Sequence, residues 1–450
     1  MKKIIQKGTM MIVLLVLLCS TCVCSVHAAV ANDAVYPIDS NSQAGWPQAP
    51  NVSCETAVLM DANTGEILYN KGMDQLRYPA SITKVMTCLL ALQNSTMDAQ
   101  VTFTPTGLAD QAEGTNIGMQ AGEVLTMEQC LYVMMIQSAN DVASQIAEYV
   151  GGTIPQFVDM MNAKAQELGC ANTHFVNPNG LPNDAHYSTA HDFALIFREA
   201  LKIPEFRTII GTVSYQLPPT NLNPNVRNFT SHIAIAVPGT PQYQDYCLGG
   251  KSGLTIAAKN TLVTGAQKDD VTLVACVMRG AVEQVYADTQ VLYEYGYGQF
   301  DKIAFDEGYA LVPKGVTLEQ LTPQLKEDGS GYIDYYYNGS FVGSGYTAPP
   351  VVEESVAEPE VKPETEIESK QNVVPETEGT EKEPIVKKKD YSNLPVWQAK
   401  LCGIRDVMLD HKLYIVIAVL VLINVVAIIM VIVKAAKRKK YKHKKVSHYE

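Results

Sequence analysis

The chain has 450 residues, with 47 aspartates and glutamates against 35 lysines and arginines, and its formal net charge is −12. An acidic protein of this kind repels polyanions, which argues against a nucleic-acid partner. The length allows one large folded domain together with smaller segments.

The first 28 residues have the pattern of a signal peptide. Lysines near the start precede an apolar run at 10–18, and Val26 and Ala28 are spaced like a signal-peptidase site. The sequence therefore predicts that residues 1–28 are removed and that the mature protein is exported. An uncleaved membrane anchor is the alternative, although the apolar run is short for a span.

Residues 413–433 form a second apolar run, in which Asn424 is the only strongly polar side chain. At about 1.5 Å per residue, this run is long enough to cross a hydrocarbon core of about 30 Å. A basic tail, 434–450, follows it, and positive charge beside a span marks the cytoplasmic side. We predict a single-pass protein of the cell membrane, with its main domain outside the cytoplasm.

Between these ends the composition divides the chain into three parts. Residues 349–390 are rich in Pro, Glu, Val, Thr and Lys without apolar periodicity, which predicts a disordered acidic linker. Residues 301–348 are rich in tyrosine and glycine and predict a short β-rich annex of unknown role. The remainder, 29–300, forms the main domain.

The main domain alternates helix-like and strand-like segments. Its predicted helices are 81–93, 127–136 and 142–150, and its predicted strands are 57–60, 67–69, 260–264 and 271–278. Polar connectors at 61–65 and 267–270 join two of the strand pairs. The pattern predicts an α/β (α+β) domain in which helices pack on a mixed antiparallel sheet.

The exported part before the linker keeps six cysteines, and they lack the close paired spacing of a zinc site. They are Cys54, Cys88, Cys130, Cys170, Cys247 and Cys276. Scattered cysteines in apolar sequence are usually buried thiols, and disulfides are the alternative in an exported protein. We predict no metal and no cofactor.

Ser81 and Lys84 form the only Ser-x-x-Lys pattern, placed where a helix should begin. Residues three apart share one helix face, so the Lys84 amine can lie over the Ser81 hydroxyl. A desolvated, neutral lysine can take the proton of a serine and make it a nucleophile. A capping serine followed by a surface lysine is the alternative for this pair alone.

Two further polar patterns follow in the chain. Ser138 and Asn140 lie between two predicted helices. A loop there can direct a hydroxyl and an amide into a cleft. A helix-capping turn is the alternative, because it would use the same residue types. Lys251, Ser252 and Gly253 offer a positive charge, a hydroxyl and a position where an edge strand can approach a substrate closely.

A phosphate-binding loop at Gly250, Lys251 and Ser252 is excluded because Asp245 stands where its first glycine is required. Each of the three patterns occurs once in the chain, and their combination in this order is that of β-lactamases and penicillin-binding proteins.

The sequence resembles the low-molecular-mass penicillin-binding proteins that are serine D-alanyl-D-alanine carboxypeptidases. The resemblance covers roughly residues 54–300 and is carried by DANTGEILYNKGMDQLRYPASITKVMT, SANDVA, THFVNPNGL, YSTAHDFALI and GGKSGLT. Two departures are Ser252, where the family usually has threonine, and an annex that is shorter than the family's second domain. The resemblance implies a β-lactamase/transpeptidase-like fold.

The same resemblance implies a role for each motif residue. Ser81 would be the acylated nucleophile, Lys84 its base, and Ser138 the donor of a proton to the leaving amine. Asn140 would hold the substrate amide, and Lys251 with Ser252 would bind the terminal carboxylate beside Gly253. The backbone amides of Ser81 and Leu254 would form the oxyanion hole.

Three histidines in the matching loop region, His174, His186 and His191, are interpreted as structural. The resemblance implies peptidoglycan stem peptides as substrates and β-lactams as covalent inhibitors. A β-lactamase, a membrane-bound β-lactam sensor and a D,D-endopeptidase share the pocket and are the alternatives. A β-lactamase must also position a deacylating water. A sensor usually needs a signalling domain, and the basic tail is short for one.

Overall fold

A computed structural model describes residues 34–109 and 113–346. The predicted signal peptide, linker, transmembrane segment and basic tail lie outside the described residues, as do residues 29–33 of the predicted main domain and 347–348 of the predicted annex. Within the described residues, no helix combines the length and the apolar character that a membrane crossing requires.

The main domain is built on a five-stranded sheet with the order β2-β1-β9-β8-β7. Its strands are β1 (Thr56–Asp61), β2 (Ile67–Lys71), β7 (Cys247–Thr255), β8 (Lys259–Lys268) and β9 (Val271–Gly280). Every neighbouring pair is antiparallel, so the sheet is not mixed. Short connections explain this pattern for β1 with β2, β7 with β8 and β8 with β9, because a tight turn joins antiparallel neighbours. β7 forms one edge.

Seven helices of the described residues belong to the main domain or directly follow it. They are α1 (Lys84–Asn94), α2 (Met127–Gln137), α3 (Asn140–Gly151), α4 (Ile154–Glu167), α5 (Ala190–Ala200), α6 (Pro204–Gly211) and α7 (Val282–Gln299). Two small hairpins accompany them: β3 (Gln100–Thr102) with β4 (Val124–Thr126), and β5 (Ser214–Leu217) with β6 (Arg227–Thr230).

Helices cover both faces of the central sheet. Strand side chains alternate between faces, and Val58 and Met60 of β1 join the core that contains most of the helices. Their neighbours Ala57 and Leu59 join a second core that contains α7 residues such as Leu292. All six residues of β1 are buried, which explains why the strand reads as a continuous apolar run.

The segment predicted as a β-rich annex contains a second antiparallel sheet. Its strands are β10 (Phe300–Ala304), β11 (Glu307–Pro313), β12 (Thr322–Leu325), β13 (Ile333–Tyr337) and β14 (Ser340–Tyr346), in the order β10-β11-β14-β13-β12. The Phe305 and Tyr335 rings stack with centroids 4.3 Å apart. Tyr309 donates a hydrogen bond to Asp61 Oδ2 at 2.7 Å, which joins this sheet to the end of β1.

The six cysteines of the described residues are free thiols. Five are buried and Cys247 is partly buried. Burial raises the pKa of the Cys54 thiol well above its ordinary value, with a further contribution from Asp288. The disulfide alternative is therefore absent from this structure.

Candidate active site

The turn before Ser81 has an unusual backbone. Ala80 has a φ of +52°, and residues Ala80–Thr83 form a short 3-10 helix that leads into α1, so the predicted helix at 81–93 begins in a tighter form. The Thr83 hydroxyl donates to the Ala80 carbonyl at 2.8 Å, and the Thr261 hydroxyl of β8 donates to the Pro79 carbonyl at 2.8 Å. Side chains on both sides therefore hold a strained turn in place.

His186 and Gly180 support the same turn from the loop before α5. Val176 N–H donates to His186 Nδ1 at 3.2 Å, so the neutral ring carries its proton on Nε2 and donates to Thr83 Oγ1, 2.9 Å away. Burial lowers the pKa of His186 to about 3, so the ring is neutral at ordinary pH. A Cβ on Gly180 would lie 1.9 Å from the Ala80 carbonyl oxygen, and only glycine fits there.

Lys84 is fully buried beneath Ser81. Its Nζ lies 3.1 Å from Ser81 Oγ and donates to Asn140 Oδ1 and to the Asn179 carbonyl, each at 2.7 Å. Burial lowers the pKa of Lys84 well below its ordinary value, and the nearby Lys251 charge lowers it further. In its neutral form, which the lowered pKa favours, an amine that donates to two carbonyl oxygens directs its lone pair at the third neighbour, the Ser81 hydroxyl.

The second pattern occupies the junction between α2 and α3. Ser138 ends α2 with a φ of +63° and lines the cleft beside Ser81. Asn140 is 4% exposed and lies below the cleft wall, where its Nδ2 donates to the Glu113 carbonyl at 2.9 Å. Asn140 therefore positions Lys84 in this structure, and its contact with substrate remains a prediction.

The third pattern lies within β7, which extends through the glycines at 249 and 250. Lys251 is 2% exposed, and its Nζ donates to the Ser252 carbonyl at 2.7 Å. Burial lowers the pKa of Lys251 to about 7. Lys251 is therefore buried, with its charge close enough to Lys84 to lower the pKa of that amine, whereas Ser252 lines the cleft.

Gly253 and Leu254 bring the edge of β7 against the nucleophile. A Cβ on Gly253 would lie 2.7 Å from the backbone nitrogen of Ser81 and 2.6 Å from Thr261 Oγ1. Leu254 follows on the same edge and is 68% exposed at the cleft. The missing side chain allows the Ser81 amide and this strand to come together, as an oxyanion hole requires.

The structure brings the three patterns to one cleft with a volume of about 420 Å³. Ser81, Ser138, Ser252, Gly253 and Leu254 line it. Lys84, Asn140 and Lys251 are buried against its walls. Sequence reasoning missed eight further lining residues that belong to no motif: Thr115, Gln137, His232, Asn260, Thr261, Val282, Val285 and Tyr286.

His232 and Tyr286 are 54 positions apart and meet at the Ser252 end of the cleft. The Tyr286 hydroxyl donates to the His232 carbonyl at 2.6 Å. Burial raises the pKa of Tyr286, so its phenol is protonated. His174 bonds to the Ala185 carbonyl and His191 to Asp74, so neither histidine is part of the cleft lining.

A buried amine with a lowered pKa beside a serine, and a strand edge held against the amide of that serine, suit acyl transfer through a covalent ester. The binding of a carboxylate by Lys251 remains a prediction. Within the described residues, no group of three His, Cys, Asp or Glu side chains is arranged to hold a metal ion.

Comparison with known proteins agrees with this chemistry. The Peptidase_S11 D-alanyl-D-alanine carboxypeptidase family matches residues 43–281, more than half of the chain. D-alanyl-D-alanine carboxypeptidase DacB2 of Mycobacterium tuberculosis is 33% identical over 60% of this chain and 87% of its own length. DacF of Bacillus subtilis is 32% identical over 55% of this chain, and the match spans 63% of that relative. The chain belongs to the D-alanyl-D-alanine carboxypeptidase family.

Solved structures show the same fold. A crystal structure of D-alanyl-D-alanine carboxypeptidase from Mycobacterium tuberculosis has a TM-score of 0.52 and 29% identity, and the match covers 57% of this chain and 95% of that one. The Streptomyces K15 DD-transpeptidase has a TM-score of 0.51 and 26% identity, covering 56% of this chain and 100% of that one. The mixed α/β architecture, with antiparallel sheets and packed helices, is therefore that of the penicillin-binding DD-peptidases.

Proposed function

We propose that this protein is a serine D-alanyl-D-alanine carboxypeptidase that removes the terminal D-alanine of peptidoglycan stem pentapeptides. The observation that carries the proposal is the fully buried Lys84 amine, 3.1 Å from the Ser81 hydroxyl, with a lowered pKa. This arrangement generates a nucleophile without a metal or a histidine.

In the proposed reaction, Ser81 Oγ attacks the carbonyl carbon between the two D-alanines while Lys84 Nζ takes the hydroxyl proton. The backbone amides of Ser81 and Leu254 hold the negative oxygen of the tetrahedral intermediate. The carbon–nitrogen bond then breaks, and a proton passes through Ser138 to the leaving amine. Water hydrolyses the resulting ester, which releases the shortened peptide and restores the Ser81 hydroxyl.

Selection of the terminal bond rests on Lys251 and Ser252. The buried charge of Lys251 near Lys84 and the Ser252 hydroxyl in the cleft favour a free carboxylate on the leaving residue. Penicillin carries a carboxylate and a strained amide, so it would acylate the same oxygen and act as a covalent inhibitor.

Cleavage of three substrates tests the proposal: a free stem pentapeptide, which releases D-alanine, its C-terminal amide, which releases D-alaninamide, and a crosslinked dimer, which releases a stem peptide. The free pentapeptide should be cleaved fastest, and Ser81→Ala should cleave none of them. The dimer is included because a Pseudomonas aeruginosa relative, 27% identical over 50% of this chain, is named D-alanyl-D-alanine endopeptidase. Faster cleavage of the dimer would reassign this protein as an endopeptidase.

We also propose that the protein is exported and held at the cell membrane by residues 413–433, with the active site outside. The support is the sequence pattern of a signal peptide, an apolar run of spanning length and a basic tail behind it. The linker at 349–390 would then separate the folded part from the bilayer.

A further inference from the structure

Tyr286 lies at the end of the cleft that the proposed reaction assigns to the leaving residue. It belongs to the second turn of α7, is 7% exposed, and lines the cleft together with Ser252 and His232. The ring is therefore packed into the cleft wall, and its hydroxyl meets the polar groups at that end. The three sequence motifs assign this tyrosine no role.

The Tyr286 hydroxyl links Ser252 to the loop that carries His232. It donates its hydrogen to the His232 carbonyl at 2.6 Å. Burial raises the pKa of Tyr286, and hydrogen bonding by the Ala234 amide and the Ser252 hydroxyl lowers it in part. A phenol has one hydrogen and accepts through its oxygen lone pairs, so Ser252 is the donor to Tyr286 in the free enzyme.

The direction of these hydrogen bonds must change when a carboxylate binds. A serine hydroxyl has a single hydrogen and a carboxylate only accepts, so Ser252 must turn its hydrogen from Tyr286 to the substrate. The Tyr286 hydrogen can then turn from the His232 carbonyl to Ser252 Oγ. Rotation of two hydroxyl hydrogens is sufficient for this reversal, and no heavy atom has to move.

The His232 carbonyl does not lose its last partner in this reversal. The Ala234 amide already donates to the same carbonyl at 3.1 Å. A buried acceptor that keeps one hydrogen bond avoids the cost of an unsatisfied group. The phenol hydrogen is therefore available to Ser252, and a hydroxyl that accepts one hydrogen bond donates a stronger one.

We propose that Tyr286 is a positioning residue for the terminal carboxylate and acts through Ser252, accepting its hydrogen in the free enzyme and donating to its oxygen when the carboxylate is bound. The inference rests on the proposed function, because it uses the leaving residue of that reaction. Part of the preference for a free carboxylate then comes from α7, outside the three motifs.

The preference is measured as the ratio of kcat/KM for a free stem pentapeptide to kcat/KM for its C-terminal amide. We expect Tyr286→Phe to lower this ratio by about two- to tenfold, the range of one uncharged hydrogen bond. The rate on the amide should change less, because the amide lacks the charge that the oriented hydroxyl binds. A purely structural loss would lower both rates equally, and the ratio does not depend on the amount of folded enzyme.

A double-mutant cycle tests whether Tyr286 acts through Ser252. In the Ser252→Ala background there is no hydroxyl to position, so Tyr286→Phe should leave the ratio unchanged. Tyr295→Phe is the matched control on the same helix, since its hydroxyl donates to the Pro47 carbonyl at 3.0 Å and it does not line the cleft. That variant should keep the wild-type ratio.

Three results would overturn the inference. They are an unchanged or higher ratio in Tyr286→Phe, an equal fall in Tyr295→Phe, and an undiminished effect of Tyr286→Phe in the Ser252→Ala background.

Acylation by penicillin and by its methyl ester separates this inference from the proposed function, because it requires no D-alanine release. A fall in the acid-to-ester ratio of acylation rates in Tyr286→Phe, without D-alanine release by the wild type, would retain the inference and reject the carboxypeptidase. D-alanine release with the same preference in the wild type and in Tyr286→Phe would do the reverse. Absence of both release and acylation would reject both.

Discussion

His186 Nε2 lies 2.9 Å from Thr83 Oγ1, and that hydroxyl in turn donates to the carbonyl of Ala80, the residue before the nucleophile. A histidine 105 positions away in the chain therefore supports the backbone that presents Ser81. The interaction is fully buried, and an unsatisfied group there would cost about 1 to 3 kcal/mol.

We expect His186→Ala to slow acylation by penicillin about tenfold, because the strained turn would lose one of its supports. His186→Gln, which keeps an N–H donor, should recover part of the rate. His174→Ala is the control, since the exposed His174 ring bonds to the Ala185 carbonyl and packs near the Tyr187 ring, away from the turn before Ser81. Equal acylation rates in His186→Ala and the wild type would contradict the positioning role.

Gly180→Ala should destabilise the protein and abolish acylation. The new Cβ would lie 1.9 Å from the Ala80 carbonyl oxygen, and the backbone has a φ of +86°. Gly169→Ala separates the steric clash from the strain of a positive φ, because Gly169 has a φ of +79° with open space around its Cβ position. This control should lower the free energy of unfolding only by the cost of the backbone strain, about 1 to 2 kcal/mol. Urea unfolding and penicillin labelling measure both effects, and similar losses in the two variants would exclude the steric explanation.

The activity should depend on pH through Lys251. Its pKa of about 7 means that the positive charge is present below this pH and is lost as the pH rises through it. The value of kcat/KM for a free pentapeptide should therefore fall above about pH 7, because the free enzyme loses the partner of the carboxylate. The C-terminal amide has no carboxylate and should lack this decline. Parallel profiles for the two substrates would contradict the role of Lys251.

Fluorescent penicillin should label Ser81 and no other residue. Ser81→Ala should lose the label, whereas Ser214→Ala, which removes an exposed hydroxyl outside the cleft, should retain it. Peptide mapping of the labelled wild type identifies the attached residue. Label on the Ser81→Ala protein would disprove the nucleophile assignment.

Protease added to intact protoplasts should release a soluble, penicillin-binding fragment. The expected cuts fall in the linker at 349–390, because its composition does not support a packed core. Labelling the fragment with fluorescent penicillin measures the release, and protoplasts lysed beforehand provide the reference for full accessibility. A penicillin-binding domain that is cut only after lysis would reverse the proposed topology.

The strands and helices with strong local patterns were predictable from the sequence. The predicted strand at 271–278 corresponds to β9, and the predicted helix at 127–136 corresponds to α2, which a capping box at Thr126 and Gln129 begins. The strand β7 was harder to predict from the sequence, because its central residues include glycines, which are depleted in strands. Its conformation comes from pairing with β8.

The motifs predicted which residues would share a cleft, but the positions of individual side chains required tertiary structure. Asn140 and Lys251 were expected to contact substrate; the structure has both buried at the cleft, and their contact with substrate stays a prediction. His232 and Tyr286 carry no local signal, since a lone histidine and a lone tyrosine occur in many loops and helices. Tyr286 reaches the cleft because α7 packs against the central sheet, and its hydroxyl bonds to the carbonyl of His232 beside it.

The close approach of Gly253 to Ser81 restricts how this protein could become resistant to an inhibitor. A bulkier residue at 253 would be the direct way to narrow the entrance against a β-lactam. Because the first added carbon would already lie 2.7 Å from the Ser81 nitrogen, the same substitution would displace the amide on which the enzyme's own reaction depends. Escape by substitution must therefore begin at exposed positions such as Leu254, where a side chain can change without moving the nucleophile.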